Sequence, residues 1–360
     1  MKKIISGIFI FLSVLLFLAC SRQMNETPKL NHIQIIGSHN SYKQAIQPEL
    51  WEQLYDKDSS RAMALQYEHI DLTSQLELGL RSLEIDIFHD PKGGRYKKPL
   101  GNYLLRDRGV DPLPFDEKNE LDKPGLKVFH VQDIDFRSHR LLFRNALLEI
   151  KQWSDQNEEH LPIIITLNAK DSPVDLPDFV KPLPFSKTAL DSIDLEIRSV
   201  FNHEDLITPD FVRGEFQQLE EAILKRGWPD LSVVSGRLMF VLDERGDKLL
   251  RYIEDHPALK HRVMFTNSQE NTPEAAFRIV NDPVKDLAYI KTLVAKGYMV
   301  RTRADAGTFE ARNNDYTRFE KAMESGAQVI SSDYYLPSKL FKSDFKVSFE
   351  GAIYEKVITK

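Results

Sequence analysis

Titratable side chains follow short apolar runs of this chain at the points where buried strands are expected to end. His39 and Asn40 come after the apolar run at residues 33–36 and the small residue Gly37, a pattern typical of a buried strand that ends in a loop. His130 follows another apolar run, in the segment KVFHVQD. Two imidazoles can act as a general base and a general acid, because their ordinary pKa lies near neutrality. A purely structural role stays open for each, since most histidines near a strand end are only hydrogen-bonded.

Two carboxylates share one predicted strand. Glu84 and Asp86 lie two positions apart in the run at residues 82–87, so a strand would place both side chains on one face. Carboxylates that point together into a barrel interior repel each other and lose hydration, so they need a cation, a shared proton or basic partners. Two interpretations stay open at this point: a metal site, or a structural ion pair with Arg301 or Arg303.

Further polar side chains end the later apolar runs and could meet on the same rim. Asn168 and Lys170 follow the run in PIIITLNAKD, Arg301 and Arg303 alternate in VRTRAD, and Asp333 closes ISSDY. Arginine can grip substrate oxygens with two parallel hydrogen bonds, and lysine can hold them as a point charge. We predict that Lys170, Arg301, Arg303 and Asp333 bind substrate.

Eight short apolar runs predict the strands that position these side chains. They lie at residues 33–36, 82–87, 127–129, 162–167, 238–242, 262–265, 298–300 and 328–330. Amphipathic stretches predict helices between them, at residues 65–80, 141–156, 186–200, 216–226, 287–296 and 316–325. Near-continuous apolar strands that alternate with helices imply a parallel sheet buried on both faces.

Eight such strands favour a closed barrel over an open sheet. We predict an α/β fold, a single distorted (β/α)₈ TIM barrel. Residues 88–125 are rich in Pro, Gly and charge and predict a long loop without a helix, and residues 171–184 predict a second long loop. Both loops are expected on the C-terminal face of the barrel, where barrels of this class hold their chemistry.

The N-terminal segment predicts export. Lys2 and Lys3 precede an almost entirely apolar stretch at residues 4–18, and Ala19 precedes Cys20, the only cysteine of the chain. This pattern is typical of a bacterial lipoprotein signal, with an ordinary cleaved signal or a membrane helix as the alternatives. The apolar stretch is shorter than the about 20 residues that a spanning helix needs. We therefore expect lipidation of Cys20 and an exported, membrane-anchored lipoprotein of the bacterial outer membrane or cell surface.

Length and charge narrow the domain organisation and the partners. A chain of 360 residues with a net charge of −6 and a pI near 6.0 gives no sign of nucleic-acid binding. We predict a signal peptide at residues 1–19, a tether at 20–30, one barrel domain at 31–340 and a C-terminal extension at 341–360 that forms one or two strands outside the barrel. We expect a monomer.

The order of the motifs resembles one known family. GSHNSY, LEID, VFH and ITLN follow one another along the chain, and the later segments from GRLMFVLD to ISSDY continue the series. Together they are similar to the phosphatidylinositol-specific phospholipase C superfamily, and most to its secreted calcium-dependent bacterial branch. The resemblance covers nearly the whole chain after the N-terminal segment.

This resemblance implies a role for each matching residue. It implies that His39 and His130 are the two catalytic histidines. It also implies that Asn40, Glu84 and Asp86 hold a Ca²⁺ ion, in line with the preference of this hard cation for oxygen ligands. Calcium-independent bacterial relatives carry an arginine in place of the cation, and the two carboxylates favour the metal here.

The fourth expected ligand departs from the family pattern. Members that take a fourth protein ligand from this region carry a glutamate where this chain has Asn168. An amide oxygen can still coordinate calcium, so Asn168 completes the predicted ligand set with one negative charge fewer. A nearby acid such as Asp133 is a candidate to compensate for the missing charge.

The resemblance implies calcium-dependent cleavage of a phosphoric diester. We expect inositol phospholipids to be cleaved to diacylglycerol and inositol (cyclic) phosphate, with attack by the adjacent 2-hydroxyl. A glycerophosphodiester phosphodiesterase-like hydrolase is one alternative, although its first histidine is usually followed by Arg-Gly and His39 is followed by Asn40 and Ser41. A non-catalytic surface lipoprotein that binds an inositol or glycan headgroup is the other, and it would not need two histidines.

Overall fold

Eight parallel strands in the order β5-β4-β3-β2-β1-β8-β7-β6 form a nearly closed barrel in the computed structural model, which describes residues 27–358. The strand bounds are β1 Ile33–Ser38, β2 Ser82–Ile87, β3 Ile163–Ala169, β4 Leu238–Leu242, β5 Phe265–Thr266, β6 Phe277–Ile279, β7 Met299–Arg303 and β8 Val329–Ser332. A further strand, β9 Glu355–Val357, pairs antiparallel with β1. The predicted (β/α)₈ barrel is therefore confirmed.

One residue, Asn267, connects β5 to β6 through both its backbone and its side chain. Asn267 forms a parallel bridge with Phe277. Its Oδ1 atom accepts the backbone N–H of Ile279 at 3.0 Å and Nη1 of Arg278 at 3.1 Å. Because β5 and β6 are only two and three residues long, this amide takes over hydrogen bonding that longer strands would supply through their backbones.

Helices lie between most of the strands. Their bounds are α1 Pro48–Lys57, α2 Ser59–Ala64, α3 Leu72–Glu77, α4 Leu100–Asp107, α5 Phe143–Gln156, α6 Lys187–Arg198, α7 Pro209–Arg213, α8 Leu219–Lys225, α9 Leu231–Val234, α10 Gly246–Ile253, α11 Leu287–Lys296, α12 Phe309–Asn313 and α13 Thr317–Glu324. In α5 the buried residues Phe143, Leu147, Ile150 and Trp153 recur every three or four positions and share one apolar core with β1 to β4.

One predicted strand is wrong and one strand was not predicted. Residues 127–129 are not a strand of the barrel; Lys127 only bridges Phe88 and Leu142. Phe129 instead packs under the long loop that follows β2, in an apolar cluster with Phe88 and Tyr96. The barrel reaches eight strands through β6, which the eight apolar runs did not include.

Two further predictions are wrong, one of a long helix at residues 65–80 and one of a loop without a helix at residues 88–125. The predicted helix at residues 65–80 is interrupted by an extended segment, and only α3 is helical within it. Asp71 starts α3 as its N-cap, because its side chain accepts the backbone N–H of Ser74. Residues 88–125 contain α4, in which Gly101 fits closely against Leu50 and the carbonyl of Asp133. The other predicted helices overlap helices of the structure.

Gly37 allows β1 to approach β2 closely just before the polar residues begin. Gly37 and Ser82 are the paired positions of these two strands. A Cβ atom on Gly37 would lie 2.5 Å from Cβ of Ser82 and 2.7 Å from its carbonyl oxygen. The sequence therefore needs glycine here to set the position from which His39 and Asn40 follow.

Both ends of the described chain meet at the amino-terminal face of the barrel. A short 3₁₀ turn, Leu30–His32, leads into β1, and Val357 of β9 pairs with Ile33 at the start of β1. The predicted signal peptide at 1–19 and Cys20 lie outside the described residues. Within residues 27–358, no helix combines the length and the apolar character needed to cross a membrane.

Candidate active site

His39 stands at the carboxyl end of β1 and is held by its backbone and its ring. Its amide N–H donates to the carbonyl of Ser332 at 3.1 Å, which joins the ends of β1 and β8. Its Nδ1 lies 2.8 Å from Oδ1 of Asp333. Because a carboxylate only accepts, Nδ1 carries the proton and Nε2 is left as a base. Nη1 of Arg303 lies 3.3 Å from this Nε2, and Oε1 of Glu84 lies 3.7 Å from it.

Asp333 is kept ionised by its neighbours. Burial opposes its charge, but His39 and Arg303 outweigh burial and hold the pKa of Asp333 well below its usual range. Nη2 of Arg303 lies 3.1 Å from Oδ2 of Asp333. Asp305 lies behind it and accepts its backbone N–H at 3.0 Å. Burial and the charge of Asp333 raise the pKa of Asp305 to about 7. The carboxylate with the lowered pKa is thus the one that faces His39.

His130 has a carboxylate partner of its own. Its Nδ1 lies 2.8 Å from Oδ2 of Asp135, and the two residues also bond through their backbones in a tight turn. The other oxygen of Asp135 lies 3.2 Å from Nζ of Lys43, and neither of these two side chains is exposed. Lys43 also donates to the carbonyl of Tyr67 at 2.8 Å. The imidazole of His130 is therefore oriented by a buried ion pair.

Tyr67 separates the two histidines. Its ring centroid lies 6.0 Å from that of His39 and 6.4 Å from that of His130. Its hydroxyl accepts Nδ2 of Asn40 at 2.6 Å. The two imidazoles keep 18 % and 17 % of their side-chain surface exposed. Each ring is therefore partly accessible, and both lie against the same tyrosine.

Glu84 lies between the histidine of β1 and an arginine of β7. Its Oε2 is paired with Nη2 of Arg301, and its Oε1 accepts Nδ2 of Asn168 at 3.0 Å. Burial opposes the charge of Glu84, but Arg301, His39 and Arg303 together lower its pKa. Of the two interpretations that the sequence left open, the ion pair with Arg301 is present, and it holds Glu84 as a carboxylate.

Asp86 lies two residues after Glu84 on the same face of β2. Its Oδ2 lies 3.3 Å from Nζ of Lys170, whose side chain is 38 % exposed although that of Asp86 is 3 % exposed. The charge of Asp86 raises the pKa of Lys170 more than burial lowers it. On its other side lies Tyr42, where burial first and then the charge of Asp86 raise the pKa of the hydroxyl.

Asn40 is fixed by a left-handed backbone and two tyrosines. Its φ angle is +53°, a conformation that asparagine adopts more readily than most residues. Its Nδ2 donates to Tyr67, so its Oδ1 is the atom that faces Tyr42, whose hydroxyl donates to it at 3.3 Å. Since Tyr42 also lies against Asp86, this tyrosine contacts both the amide oxygen of Asn40 and the carboxylate of β2.

Calcium fits the chemistry of the donors at this rim. Asn40, Glu84, Asp86 and Asn168 offer two carboxylates and two amide groups, the hard oxygen donors that Ca²⁺ takes in proteins. Oδ2 of Asp86 is buried, and no group of the described residues makes a hydrogen bond of good geometry to it. Within residues 27–358 no three His, Cys, Asp or Glu side chains are grouped as a metal site on their own. Amide, water or substrate oxygens would therefore have to complete the coordination.

The structure brings all ten predicted site side chains to one end of the barrel. They are His39, Asn40, Glu84, Asp86, His130, Asn168, Lys170, Arg301, Arg303 and Asp333. Their individual roles stay predictions. Both oxygens of Asp133, the candidate to compensate for the missing carboxylate, accept backbone N–H groups, from Leu100 at 2.9 Å and from Val180 at 2.7 Å. Asp133 thereby holds two loops in place.

Three residues of the site were not found from the sequence. Asp135, Lys43 and Tyr67 connect the two histidines, but none of them follows a predicted strand. Lys43 lies in the GSHNSYK segment, where its complete burial could not be foreseen. Asp135, five residues after His130, carried the one available signal, because a carboxylate so close in sequence can reach the ring of a histidine across a turn.

A family model gives these residues a context. The model for phosphoinositide phospholipase C, Ca²⁺-dependent, matches residues 29–358. The chain belongs to this family. Members of the phosphoinositide phospholipase C family are phosphoric diester hydrolases that depend on calcium, so the predicted enzyme class and cofactor are confirmed at this level. Comparison with curated protein sequences gives no match.

Solved structures similar to this family member share its fold. One is the calcium-dependent phosphoinositol-specific phospholipase C of a Pseudomonas species, with a TM-score of 0.56 and 16% identity over 92% of this chain and 96% of that one. Another is the Ca²⁺-dependent phosphatidylinositol-specific phospholipase C of Streptomyces antibioticus, with a TM-score of 0.53 and 14% identity over 89% of this chain and 99% of that one. At such low identity these similarities establish the fold.

Proposed function

We propose that this phospholipase C family member cleaves inositol phospholipids by attack of the inositol 2-hydroxyl on the neighbouring phosphorus. The products would be diacylglycerol and an inositol cyclic phosphate. The observation that supports this reaction is the presence of two histidines that are each held by a carboxylate. His39 lies 2.8 Å from Asp333, and His130 lies 2.8 Å from Asp135. Intramolecular attack needs a base for the hydroxyl and an acid for the leaving oxygen, and two such pairs supply both.

His39 is the proposed base. Nε2 of His39 takes the proton of the 2-hydroxyl as the new O–P bond forms, and Asp333 stabilises the resulting imidazolium through Nδ1. Nη1 of Arg303 lies 3.3 Å from Nε2, so a positive charge lies beside the proposed base. The guanidinium of Arg303 is therefore placed to bind a phosphate oxygen when substrate displaces its contact with the imidazole.

His130 is the proposed acid. In its protonated form it donates the Nε2 proton to the glycerol oxygen as the bond between phosphorus and that oxygen breaks. Asp135 orients the ring through Nδ1 at 2.8 Å, which leaves Nε2 as the nitrogen that can reach the substrate. Lys43 holds the other oxygen of this carboxylate at 3.2 Å, so the carboxylate stays fixed beside the ring.

Calcium held by Asn40, Glu84, Asp86 and Asn168 would lower the pKa of the attacking hydroxyl and offset the charge of the phosphate. The chain's own part is to keep these donors in place. Arg301 keeps Glu84 ionised, and the two tyrosine contacts of Asn40 fix the direction of its amide oxygen.

Product analysis tests the proposal. The protein would be incubated with phosphatidylinositol vesicles and, separately, with glycerophosphoinositol and glycerophosphocholine, with added calcium and with a chelator. Calcium-dependent release of an inositol cyclic phosphate supports the proposal. Release of glycerol 3-phosphate with no cyclic product would favour the glycerophosphodiesterase alternative. Headgroup binding without turnover of any of these substrates would favour the non-catalytic lipoprotein.

Histidine variants test the two roles separately. His39→Ala and His130→Ala are each expected to lower kcat by about 10²- to 10⁴-fold. His261→Ala is the matched control, because the side chain of His261 is 85 % exposed and lies outside the site. A substrate with a strongly acidic leaving alcohol needs little protonation. It should therefore restore much of the activity of His130→Ala and little of that of His39→Ala, and equal restoration of both would contradict the assignment.

We also propose that the protein is exported and anchored through a lipid on Cys20. The support is the sequence pattern alone, in which the only cysteine follows an apolar stretch. Metabolic labelling of the expressed chain with a radioactive fatty acid, compared with Cys20→Ser, tests it. Equal labelling of both chains, or none of either, would remove the proposal.

A further inference from the structure

The two carboxylates of β2 have cationic partners that differ in exposure and in the number of their hydrogen bonds. Glu84 is paired with Arg301, whose side chain is only 3 % exposed. The same guanidinium also donates to Oδ1 of Asn281 at 2.6 Å and to Oγ of Ser331 at 3.1 Å. Three partners and burial fix this arginine, so it cannot leave Glu84 without losing several hydrogen bonds at once.

Lys170 is held in a different way. Its backbone N–H donates to the carbonyl of Ile87 at 2.8 Å, which anchors the residue beside the end of β2. Beyond that anchor its side chain is 38 % exposed, and its Nζ reaches Oδ2 of Asp86 at 3.3 Å. That oxygen has no hydrogen bond of good geometry among the described residues. The ammonium is thus a loose partner of Asp86, able to swing toward solvent on a flexible four-carbon stem.

A loose ammonium on a candidate metal ligand has a direct thermodynamic consequence. Calcium and the ammonium both need Oδ2 of Asp86, so each lowers the affinity of the other for that atom. A divalent ion that also gains Glu84 and two amide oxygens can displace a monovalent cation whose ion pair is partly screened by water. Arg301 is expected to stay, since its other partners do not depend on the metal.

We propose that Lys170 is a tethered competitor of calcium at Asp86. Binding of calcium exchanges the ammonium off the carboxylate and frees it toward the mouth of the site, where it can meet an anionic phosphate oxygen of the substrate. Calcium thereby moves the ammonium of Lys170 toward the substrate. The positive charge that faces the phosphate increases only once the metal site is filled. This inference rests on the proposed function in one respect, the assignment of Asp86 as a calcium ligand.

Calcium titration calorimetry on three variants tests the competition without any measurement of activity. Lys170→Met removes the competing charge and is expected to bind calcium at least about tenfold more tightly than the parent, since even a modest coupling of about 1.4 kcal/mol gives that factor. Lys170→Arg keeps the charge and should bind within about twofold of the parent, well inside that factor. Lys187→Met is the control for net charge, because Lys187 is paired with Asp255 on the surface, and it should bind like the parent.

Labelling of the unmodified protein gives a second measurement that does not depend on a variant folding. Reductive methylation needs a free amine, so the rate at Lys170, read by peptide mass spectrometry, should rise several-fold when calcium is added. Lys187 serves as the internal reference, with an unchanged rate.

Several outcomes would overturn the competition. In the titrations, they are a calcium affinity of Lys170→Met that is no higher than that of the parent, an affinity of Lys170→Arg that rises as much as that of Lys170→Met, and no calcium binding by any of the proteins. In the labelling experiment, the contradicting outcome is a methylation rate at Lys170 that does not change when calcium is added. Failure of the proposed function would be recognised separately, as intact competition in a protein that releases no cyclic phosphate.

Discussion

His130 and Asp135 are joined twice, through Nδ1 and Oδ2 at 2.8 Å and through one backbone hydrogen bond from the N–H of His130 to the carbonyl of Asp135 at 3.2 Å. The carboxylate is thereby fixed relative to the ring before any substrate arrives. Lys43, fully buried on the far side of the carboxylate, holds its other oxygen at 3.2 Å. Such an arrangement sets the tautomer of the imidazole, which an acid or base needs before it can act.

Asp135→Asn should separate positioning from binding. An amide in place of the carboxylate can donate to Nδ1 and so favours the wrong tautomer, and we expect kcat to fall by about 10²- to 10⁴-fold with little change in KM. The substitution also leaves Lys43 buried without its counter-charge, so the free energy of unfolding should fall by about 3–5 kcal/mol. Steady-state kinetics and urea unfolding measure the two effects. Asp247→Asn, at a side chain that is 85 % exposed, is the control. A variant with full kcat would show that Asp135 does not orient the acid.

Glu84→Gln should change the pH dependence of stability. The pKa of Glu84 in the folded protein lies below its ordinary value of 4.5. Its contribution to the free energy of unfolding is therefore complete above pH 4.5 and is lost as the pH falls through the lower folded value. Near neutral pH the variant should be less stable by about 3–5 kcal/mol, because Arg301 stays buried without a counter-charge.

The difference between parent and Glu84→Gln should therefore narrow as the pH falls well below 4.5. Urea unfolding of both proteins across this range measures it. Asp333 contributes in the same sense, since its pKa is also lowered, so the parent itself should still lose stability in acid. A difference that stays constant with pH would contradict the role assigned to the Glu84 and Arg301 pair.

Asn168→Glu should lower the stability of the protein without calcium and raise its affinity for calcium. In the present chain Nδ2 of Asn168 donates to Oε1 of Glu84 at 3.0 Å. A carboxylate at this position loses that hydrogen bond and adds repulsion, so the chelated variant should unfold at a lower temperature, by about 1–3 kcal/mol in free energy. Calcium should then raise its Tm by more than it raises that of the parent. Thermal unfolding in chelator and in calcium measures both shifts, with Asn168→Gln as the uncharged control of equal length. Equal calcium shifts in all three proteins would place position 168 outside the metal site.

Gly37→Ala should lower activity although Gly37 has no side chain in the site. The added methyl group would lie 2.5 Å from Cβ of Ser82, so β1 must move away from β2. We expect a loss of about 1–3 kcal/mol in the free energy of unfolding. We also expect a larger loss of activity than of substrate affinity, because His39 and Asn40 would leave their partners. Activity and unfolding curves within error of the parent would show that the contact between these strands is not needed.

The apolar runs of the sequence predicted the barrel well because both faces of its strands are buried. All six residues of β2 are buried, for example, and they read as one run. Residues 127–129 also contain adjacent apolar residues but pack under a loop, and an apolar run alone does not distinguish a strand from a loop that covers an apolar cluster. β6 was not predicted because it is only three residues long and includes Arg278, so its sequence shows no hydrophobic periodicity.

The sequence placed ten side chains of the site on one rim, but of their pairings it named only a possible ion pair of the β2 carboxylates with Arg301 or Arg303. His39, Glu84 and Arg301 could each be placed at the end of a strand or on its inner face, since parallel strands bring their carboxyl ends to one rim. Which carboxylate pairs with which cation depends on side-chain packing between residues more than 200 positions apart, as for Glu84 and Arg301. Local sequence patterns do not decide between Arg301 and Arg303 as the partner.

The pairing of β9 with the start of β1 has a consequence for how the enzyme can be presented to its substrate. Leu30 and Val357 both lie at the amino-terminal face, and the rim with His39 is at the opposite end of β1. A bead or a fusion partner attached at either end of the described residues therefore lies at the face opposite to His39. Under the proposed activity on phospholipids, an enzyme held in this way presents the His39 rim to an opposing vesicle and turns it away from the support that carries it.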